Sequence, residues 1–369
     1  MFQRRTFQQC TFRRRPPQGD HKGRPYNGRP DSSRRGIVGA TLVVALCAAL
    51  GCALAGCMLA GCALAMPQRT QAAQPAPPAA HYAQITDSAP LMSAGCGKQP
   101  PIRPGTSANG IVPSGHTLRT YRLHLPRAYN AHRADPLVLS FHGHGQTSLI
   151  QELQTHMSTL ADQDNFVVAY PQGTIGADGH TGWNTGPPNY PHVNDVTFVA
   201  GLLDHIESTV CINVKQVYAS GFSNGGGFTN VLACEMSSRF AAVAIVSGGI
   251  HPVIGGCHPV RAVPLLEIYG TADHVVPYAG NPHNDNEPSV SQWLTAWAQL
   301  DSCSGPPTTI LQRHGIREEI WHPCKSNSEI VSYQIAGGRH DWPTKGFDAS
   351  TIIWFFFRRY SLGNPSPRE

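Results

Sequence analysis

Val214-Lys215-Gln216-Val217-Tyr218-Ala219-Ser220 runs directly into Gly221-Phe222-Ser223-Asn224-Gly225-Gly226-Gly227. The first seven residues read as a strand, and Gly225 to Glu235 as the helix after it. Between them lies a G-x-S-x-G pattern. A serine on a tight strand-to-helix turn needs small neighbours two positions either side, because the backbone there is crowded. Such a turn pushes the hydroxyl out at the carboxyl edge of a sheet. It also leaves the Asn224 amide at a helix start, aimed at developing negative charge. Ser223 is therefore the candidate nucleophile. The plainer readings are a glycine turn that binds nothing, or one that grips phosphate. Against phosphate, no Lys follows the glycines as a P-loop requires.

Working outward, Thr120 to Leu125 alternates Tyr121, Leu123 and Leu125 with Arg122 and His124, an outer strand with one wet face. Leu137 to Phe141 and Phe166 to Tyr170 are short apolar runs that read as buried strands. Val196, Val199, Leu203 and Ile206 recur at helical spacing, opened by Asn194 or Asp195 as cap, with Asp195 read as a cap first. Phe240 to Val246, Pro264 to Tyr269 and Ile330 to Ile335 are further strands, and Val290 to Leu300 and Ala349 to Tyr360 further helices. Strands alternate with helices, which predicts an α/β fold, a mostly parallel sheet with helices on both faces.

A serine hydroxyl is a poor nucleophile until a base takes its proton, and an acid must hold that base in one tautomer. Asp273, in Gly270-Thr271-Ala272-Asp273, follows a strand directly, where a loop carboxylate belongs. His340 sits in the tight loop Gly337-Gly338-Arg339-His340-Asp341-Trp342-Pro343, late in the chain. The order Ser, Asp, His suits a catalytic triad. With 18 histidines in the chain, a solvated surface imidazole is the default for any one of them, and the glycine loop sets His340 apart. Asp341 reads as a loop or rim residue.

Phe141-His142-Gly143-His144-Gly145 ends an early strand, and backbone amides around His144 are candidates for the second half of an oxyanion hole beside Asn224. His142-x-His144 is also a metal-ligand spacing. No matched carboxylate or histidine cluster accompanies it, so no metal and no cofactor is expected. Trp183, in a Gly/Pro-rich loop, and Trp342, two residues past His340, are candidate substrate-binding residues that could stack on an aromatic acyl group or a sugar face. The plainer reading is a loop anchored by a buried indole. Trp293, Trp297 and Trp354 lie in helical segments and read as packing.

The chain has 369 residues with a formal charge of +5, unevenly spread. Ten of its 28 Lys/Arg and two of its 23 acidic residues precede residue 67, which leaves 18 basic against 21 acidic residues in the body. A mildly acidic body lacks the electrostatic footprint of a nucleic-acid binder. Residues 1–35 form a basic leader, and 36–66 an apolar run without a charge, which reads as an export signal. A retained anchor is the rival, and the Cys57 and Cys62 contexts allow a lipidated cysteine as a third reading. All three place the body outside the cytoplasm. Residues 67–93 are an Ala/Pro/Gln-rich linker, and 94–363 the catalytic domain. Six widely spaced cysteines follow residue 67 with no CxxC pair, as in a disulfide framework. Cys303 and Cys324, which flank a hairpin-like segment, are the one pairing proposed.

Taken in order, Tyr170-Pro171-Gln172-Gly173, Trp183, Asp195-Val196-Thr197-Phe198, Ser220 to Gly227, Gly270 to Asp273 with Val276-Pro277-Tyr278, and His340-Asp341-Trp342-Pro343 form a series. Ser93-Ala94-Gly95-Cys96-Gly97-Lys98 looks like the start of the corresponding mature domains. The series resembles secreted feruloyl esterases of carbohydrate esterase family one, neighbours of the polyhydroxybutyrate-depolymerase-like esterases, and it spans nearly all of the body. The long basic leader and Cys-rich apolar run depart from it. The resemblance implies an α/β-hydrolase in which Ser223, Asp273 and His340 are the triad. It also implies a secreted serine carboxylesterase acting on hydroxycinnamoyl (feruloyl) esters of plant cell-wall polysaccharide. The partner expected is thus a feruloylated polysaccharide or small ester, with no nucleic acid, and a membrane only through an uncleaved N-terminal segment. The alternatives are a polyhydroxybutyrate depolymerase-like or short-chain acyl esterase and, from another class, a catalytically silent wall-binding module.

Overall fold

The computed structural model describes residues 89–186, 193–253, 255–281 and 287–363. The leader, the apolar segment and the linker up to residue 88 lie outside the described residues. In chain order the elements are β1 (Thr106–Ser114), β2 (Thr117–Leu125), β3 (Asp135–Phe141), α1 (Ser148–Thr155), α2 (Met157–Asp164) and β4 (Val167–Pro171). A two-stranded ribbon follows, β5 (Thr174–Ile175) with β6 (Thr181–Gly182), then α3 (Asp195–Thr209), β7 (Ile212–Phe222), α4 (Asn224–Glu235) and β8 (Ala242–Val246). The chain continues through β9 (Leu265–Gly270), α5 (Val290–Leu300), β10 (Thr308–Arg313), β11 (Ile316–Trp321), β12 (Ile330–Ile335) and α6 (Ala349–Phe357).

Ten of these strands form one sheet in the order β1-β2-β4-β3-β7-β8-β9-β12-β11-β10. The six from β4 to β12 run parallel, and an antiparallel hairpin closes each side. Every residue of β4, β8 and β9 is buried, which is why they read as unbroken apolar runs rather than as alternation. Their odd and even side chains enter two separate cores. On one face Phe198 and Leu202 of α3, Phe228 and Leu232 of α4, and Trp293 and Trp297 of α5 pack on Leu139, Ala219 and Leu265. On the other, Met157 of α2 and Ile353 and Phe357 of α6 pack on Val138, Val168 and Leu266. This is an α/β-hydrolase fold with helices on both faces. The outer-strand reading of Thr120 to Leu125 is corrected: β2 is paired on both sides, and Arg119 and His124 are buried with its apolar residues.

Among the described residues, three disulfides tie the ends of elements together. Cys96–Cys211 joins the segment before β1 to the residue preceding β7, across 115 residues. Cys234–Cys257 joins the end of α4 to the loop after β8, and Cys303–Cys324 closes the β10–β11 hairpin as expected from its flanks. In the chain-entropy picture, loops of these lengths each contribute about 3 to 5 kcal/mol.

Because β3, β7, β9 and β12 are parallel, their carboxyl ends share one edge of the sheet. His142–His144, Ser223, Asp273 and His340 all follow those ends. Topology alone therefore gathers residues more than a hundred positions apart.

Candidate active site

Ser223 stands between β7 and α4 with φ 54 and ψ −121, a backbone conformation that costs a non-glycine residue about 1–3 kcal/mol. The surroundings hold it there. Its N–H donates to the Val246 carbonyl (3.0 Å), and its own carbonyl accepts from Gly227 (3.0 Å) and Gly249 (3.1 Å). A Cβ at Gly221 would lie 2.1 Å from the Gly225 carbonyl oxygen, and one at Gly225 would lie 2.3 Å from that of Phe141. Both flanking glycines of the motif are thus required by close backbone approach.

The Ser223 hydroxyl lies 2.9 Å from Nε2 of His340, and Nδ1 of His340 lies 2.7 Å from Oδ2 of Asp273. The second Asp273 oxygen accepts from the Val275 and Val276 amides, each at 2.9 Å, so the carboxylate is buried and fixed at both oxygens. The loops carrying acid and base are stitched together. Thr271 N–H donates to the Ile335 carbonyl, Ala272 N–H to that of Gly338, and Gly337 N–H to the Thr271 hydroxyl. The Phe222 ring lies 4.9 Å from the His340 ring and closes one side of it. The two valine amides were not anticipated from sequence. The signal was an Asp followed two and three residues on by free backbone donors, an Asx-turn arrangement.

Asn224 is the first residue of α4, where amides have no intrahelical acceptor. The 142–144 segment passes beside the serine: a Cβ at Gly143 would sit 3.3 Å from Ser223 Cβ. Gly143 N–H is taken by Gln146 Oε1 (3.0 Å). The two histidines of the segment part company. His142 is fully buried, its Nε2 accepts from Gly173 N–H (2.9 Å), and Nδ1 therefore carries the proton toward the Gly143 carbonyl (2.8 Å). Burial lowers its pKa to about 4. His144 reaches outward to Asp178, 2.7 Å away. Among the described residues no group of three metal-ligating side chains converges.

Trp183 is not a stacking platform. It is wholly buried, parallel to Phe228 and edge-on to Phe141, with Nε1 donating to the His142 carbonyl (2.9 Å). Its apolar ring belongs to the core under the site. Trp342 is also buried, its indole N–H bound to Ser350 Oγ (3.0 Å). Its remaining surface lines a cleft of about 340 Å³ with Ser247, Arg339, exposed Asp341 and Lys345. Asp195 is not the helix cap: Asn194 Oδ1 accepts from Thr197 N–H (2.9 Å) and caps α3. Asp195 instead pairs with Arg119 and accepts from Asn184 N–H (2.8 Å), tethering the loop that carries Trp183.

A parallel sheet with a strained serine at its carboxyl edge, bonded through an imidazole to a buried carboxylate, defines an α/β-hydrolase of the serine-hydrolase type. The family model described as "Esterase PHB depolymerase" matches residues 119–275. A probable feruloyl esterase C of Aspergillus oryzae is 31% identical over 278 residues, covering 72% of this chain and 90% of the relative. The chain belongs to the feruloyl esterases of carbohydrate esterase family one, within the polyhydroxybutyrate-depolymerase-like superfamily of carboxylic ester hydrolases. Feruloyl esterase B of Piromyces equi is 28% identical over 246 residues, 64% of this chain and 44% of that one. A bifunctional acetylxylan esterase/xylanase of Neocallimastix patriciarum is 33% identical over 248 residues, 66% and 34%. The chain thus spans less than half the length of these two relatives. Among solved structures, an acetyl xylan esterase from Aspergillus awamori shares the fold with a TM-score of 0.53 at 16% identity, over 68% of this chain and 99% of that one.

Proposed function

We propose that this chain is a serine carboxylesterase that hydrolyses hydroxycinnamoyl (feruloyl) esters of plant cell-wall polysaccharide. The observation that carries the chemistry is the continuous hydrogen-bond path from Ser223 Oγ through His340 to Asp273. In this reading His340 Nε2 takes the serine proton as Oγ bonds to the ester carbonyl carbon, and Asp273 stabilises the resulting imidazolium. The carbonyl oxygen becomes an oxyanion held by the amides of Asn224 and His144. The C–O bond to the alcohol breaks as His340 returns the proton to the leaving oxygen. Water, deprotonated by the same imidazole, then displaces the acyl group and restores Ser223.

The names of the feruloyl esterase relatives support the acyl preference. So does a cavity of about 700 Å³ lined by Ile250, His251, Pro252, Ala296, Trp293 and Trp297, with Glu287 also on its wall. Its wall includes none of Ser223, Asp273 and His340, and its link to the nucleophile runs through Gly249, whose amide bonds to the Ser223 backbone carbonyl. Its volume and apolar lining suit an aryl group. A second reading, a short-chain acyl or polyhydroxyalkanoate esterase, is favoured by the depolymerase family match and the acetylxylan relative. Hydrolysis of methyl ferulate, p-nitrophenyl acetate and a polyhydroxybutyrate film by the purified chain, beside its Ser223→Ala variant, separates them. Preference for methyl ferulate supports the first reading, and full activity in Ser223→Ala overturns both.

The domain reading is carried forward in the same terms: residues 94–363 as the catalytic unit, exported by the segment before it. Three disulfides support an oxidising compartment. N-terminal sequencing of protein recovered outside the cell tests this, and a start near residue 66 or 73 is the expected result for cleavage.

A further inference from the structure

We propose that Trp183 is a positioning residue, a brace that sets the spacing between the two backbone segments whose amides receive the oxyanion. The inference rests on the serine esterase reading above. On one side the Trp183 indole N–H donates to the carbonyl of His142 (2.9 Å), two residues before the His144 amide. On the other, its backbone is gripped at both ends by the Asn224 carboxamide: Trp183 N–H donates to Oδ1 (2.8 Å), and Nδ2 donates to the Trp183 carbonyl (3.1 Å). Asn224 is the residue whose own amide is the other oxyanion donor. The side chain of Trp183 and the two peptide groups that flank it therefore connect two segments that are 80 residues apart in sequence.

The brace is itself immobilised. The indole is parallel to Phe228 of α4 at 5.1 Å and edge-on to Phe141 of β3 at 5.2 Å, so it packs against the elements that deliver each amide. The next residue, Asn184, donates its amide to Asp195, which is paired with buried Arg119. His142 cannot drift away from the indole either, because its ring accepts from Gly173 N–H. An oxyanion hole acts through preorganisation: its donors are useful only where the tetrahedral oxygen will be, and a misplacement near 1 Å costs about a hundredfold. A rigid aromatic with hydrogen bonds to both sides supplies that fixed spacing without touching the substrate.

Two variants loosen the brace from opposite ends. Trp183→Phe keeps an aromatic ring on Phe228 and removes the donor to His142. Asn224→Ala removes both bonds to the Trp183 backbone, leaves the Asn224 amide, and places a better helix former at the start of α4. With p-nitrophenyl acetate, kcat should fall by about tenfold or more in each, with KM within about threefold. Affinity for phenylboronic acid, whose serine adduct is tetrahedral, should fall by a similar factor, while affinity for ferulate, a planar product, stays within about twofold. Because both changes act on one brace, the double variant should lose little more than the worse single one. Unchanged kcat and boronate affinity in folded variants, or losses that simply multiply, overturn the proposal. A fluorophosphonate probe keeps the two levels apart. Failure to label Ser223 in the unaltered chain overturns the esterase reading itself, whereas labelling with unaffected variants overturns the brace alone.

Discussion

Arg119 on β2 donates to Asp195 at the start of α3 across 2.8 Å, with the Arg119 side chain 7% exposed and that of Asp195 wholly buried. The guanidinium also bonds to the Gln172 carbonyl (3.1 Å) and lies 4.0 Å over the Phe198 ring. A buried pair of this kind is costly to break from one side, because the survivor is left charged in a low-dielectric site. Asp195→Ala should lower unfolding stability by about 3–5 kcal/mol, read from the urea midpoint. Arg119→Met combined with Asp195→Leu should lose less than Asp195→Ala alone. A double variant as unstable as the single one shows that the pair is not the source of the loss.

Glu267 gives the fold a pH dependence that reaches into the neutral range. It lies on β9, completely buried, with Ser332 Oγ donating to one oxygen (2.6 Å) and no hydrogen-bond partner at the other. Burial, with a smaller push from Glu319, raises its pKa from 4.5 to about 8. The unfolded chain releases this proton near pH 4.5 and the native state keeps it to about 8. Between these values the native state holds the extra proton, so raising the pH favours unfolding. The contribution approaches about 1.4 kcal/mol per pH unit within that window. Asp301, pushed up to about 6 mainly by burial, adds to the slope at its acid end. Glu267→Gln, neutral at every pH, should flatten the stability profile between pH 6 and 8. An unchanged profile assigns the slope elsewhere.

How much of this was legible in the sequence depended on where burial and polarity agree. β7, the strand-to-helix turn at Ser223 and α4 announced themselves because crowding demands glycine and the strand is apolar, and the order Ser223, Asp273, His340 needed only the parallel topology. α1 did not, since its polarity is inverted: Gln151, Glu152 and Thr155 face inward while Leu149 and Leu153 are exposed. Gln151 is inside because it donates to Ser140 on β3, and Glu152 because Arg122 and Ser158 bond to it. The β10–β11 hairpin was legible only as a segment flanked by Cys303 and Cys324, and its strand bounds were not, because β10 is almost wholly solvated and shows no apolar alternation. For Trp183 the plainer of its two readings holds, a loop anchored by a buried indole, and the sequence could not choose between them. Its loop looked like a substrate rim, and nothing local tells that Phe141, Phe198 and Phe228 close around the indole.

The strain at Ser223 separates activity from stability. With φ 54 and ψ −121, any side chain at this position is held in a conformation that glycine adopts freely. Ser223→Ala and Ser223→Gly should both lose esterase turnover by several orders of magnitude. Glycine relieves the backbone and gives back part of the gain through the greater freedom of its unfolded chain. Ser223→Gly should therefore be more stable than Ser223→Ala by about 1 kcal/mol, measured by thermal or urea unfolding. The opposite order means that the turn at Ser223 is not strained in solution.

Selectivity for bulky acyl groups should be separable from the chemistry at the cavity beside α5. Asn230 Oδ1 accepts from both Trp293 Nε1 (3.0 Å) and Trp297 Nε1 (2.9 Å), which pins the indole floor, so the cavity has little room to rearrange. Ala296 lies on its wall with an exposed side chain, and a larger residue there projects into open space rather than into the core. Ala296→Trp should raise KM for methyl ferulate by about tenfold, on the order of 1.4 kcal/mol of lost binding, and leave p-nitrophenyl acetate within about twofold. The acetyl group needs none of that volume. Equal losses on both substrates place the effect on the triad instead, and no loss on either shows that the aryl group binds elsewhere.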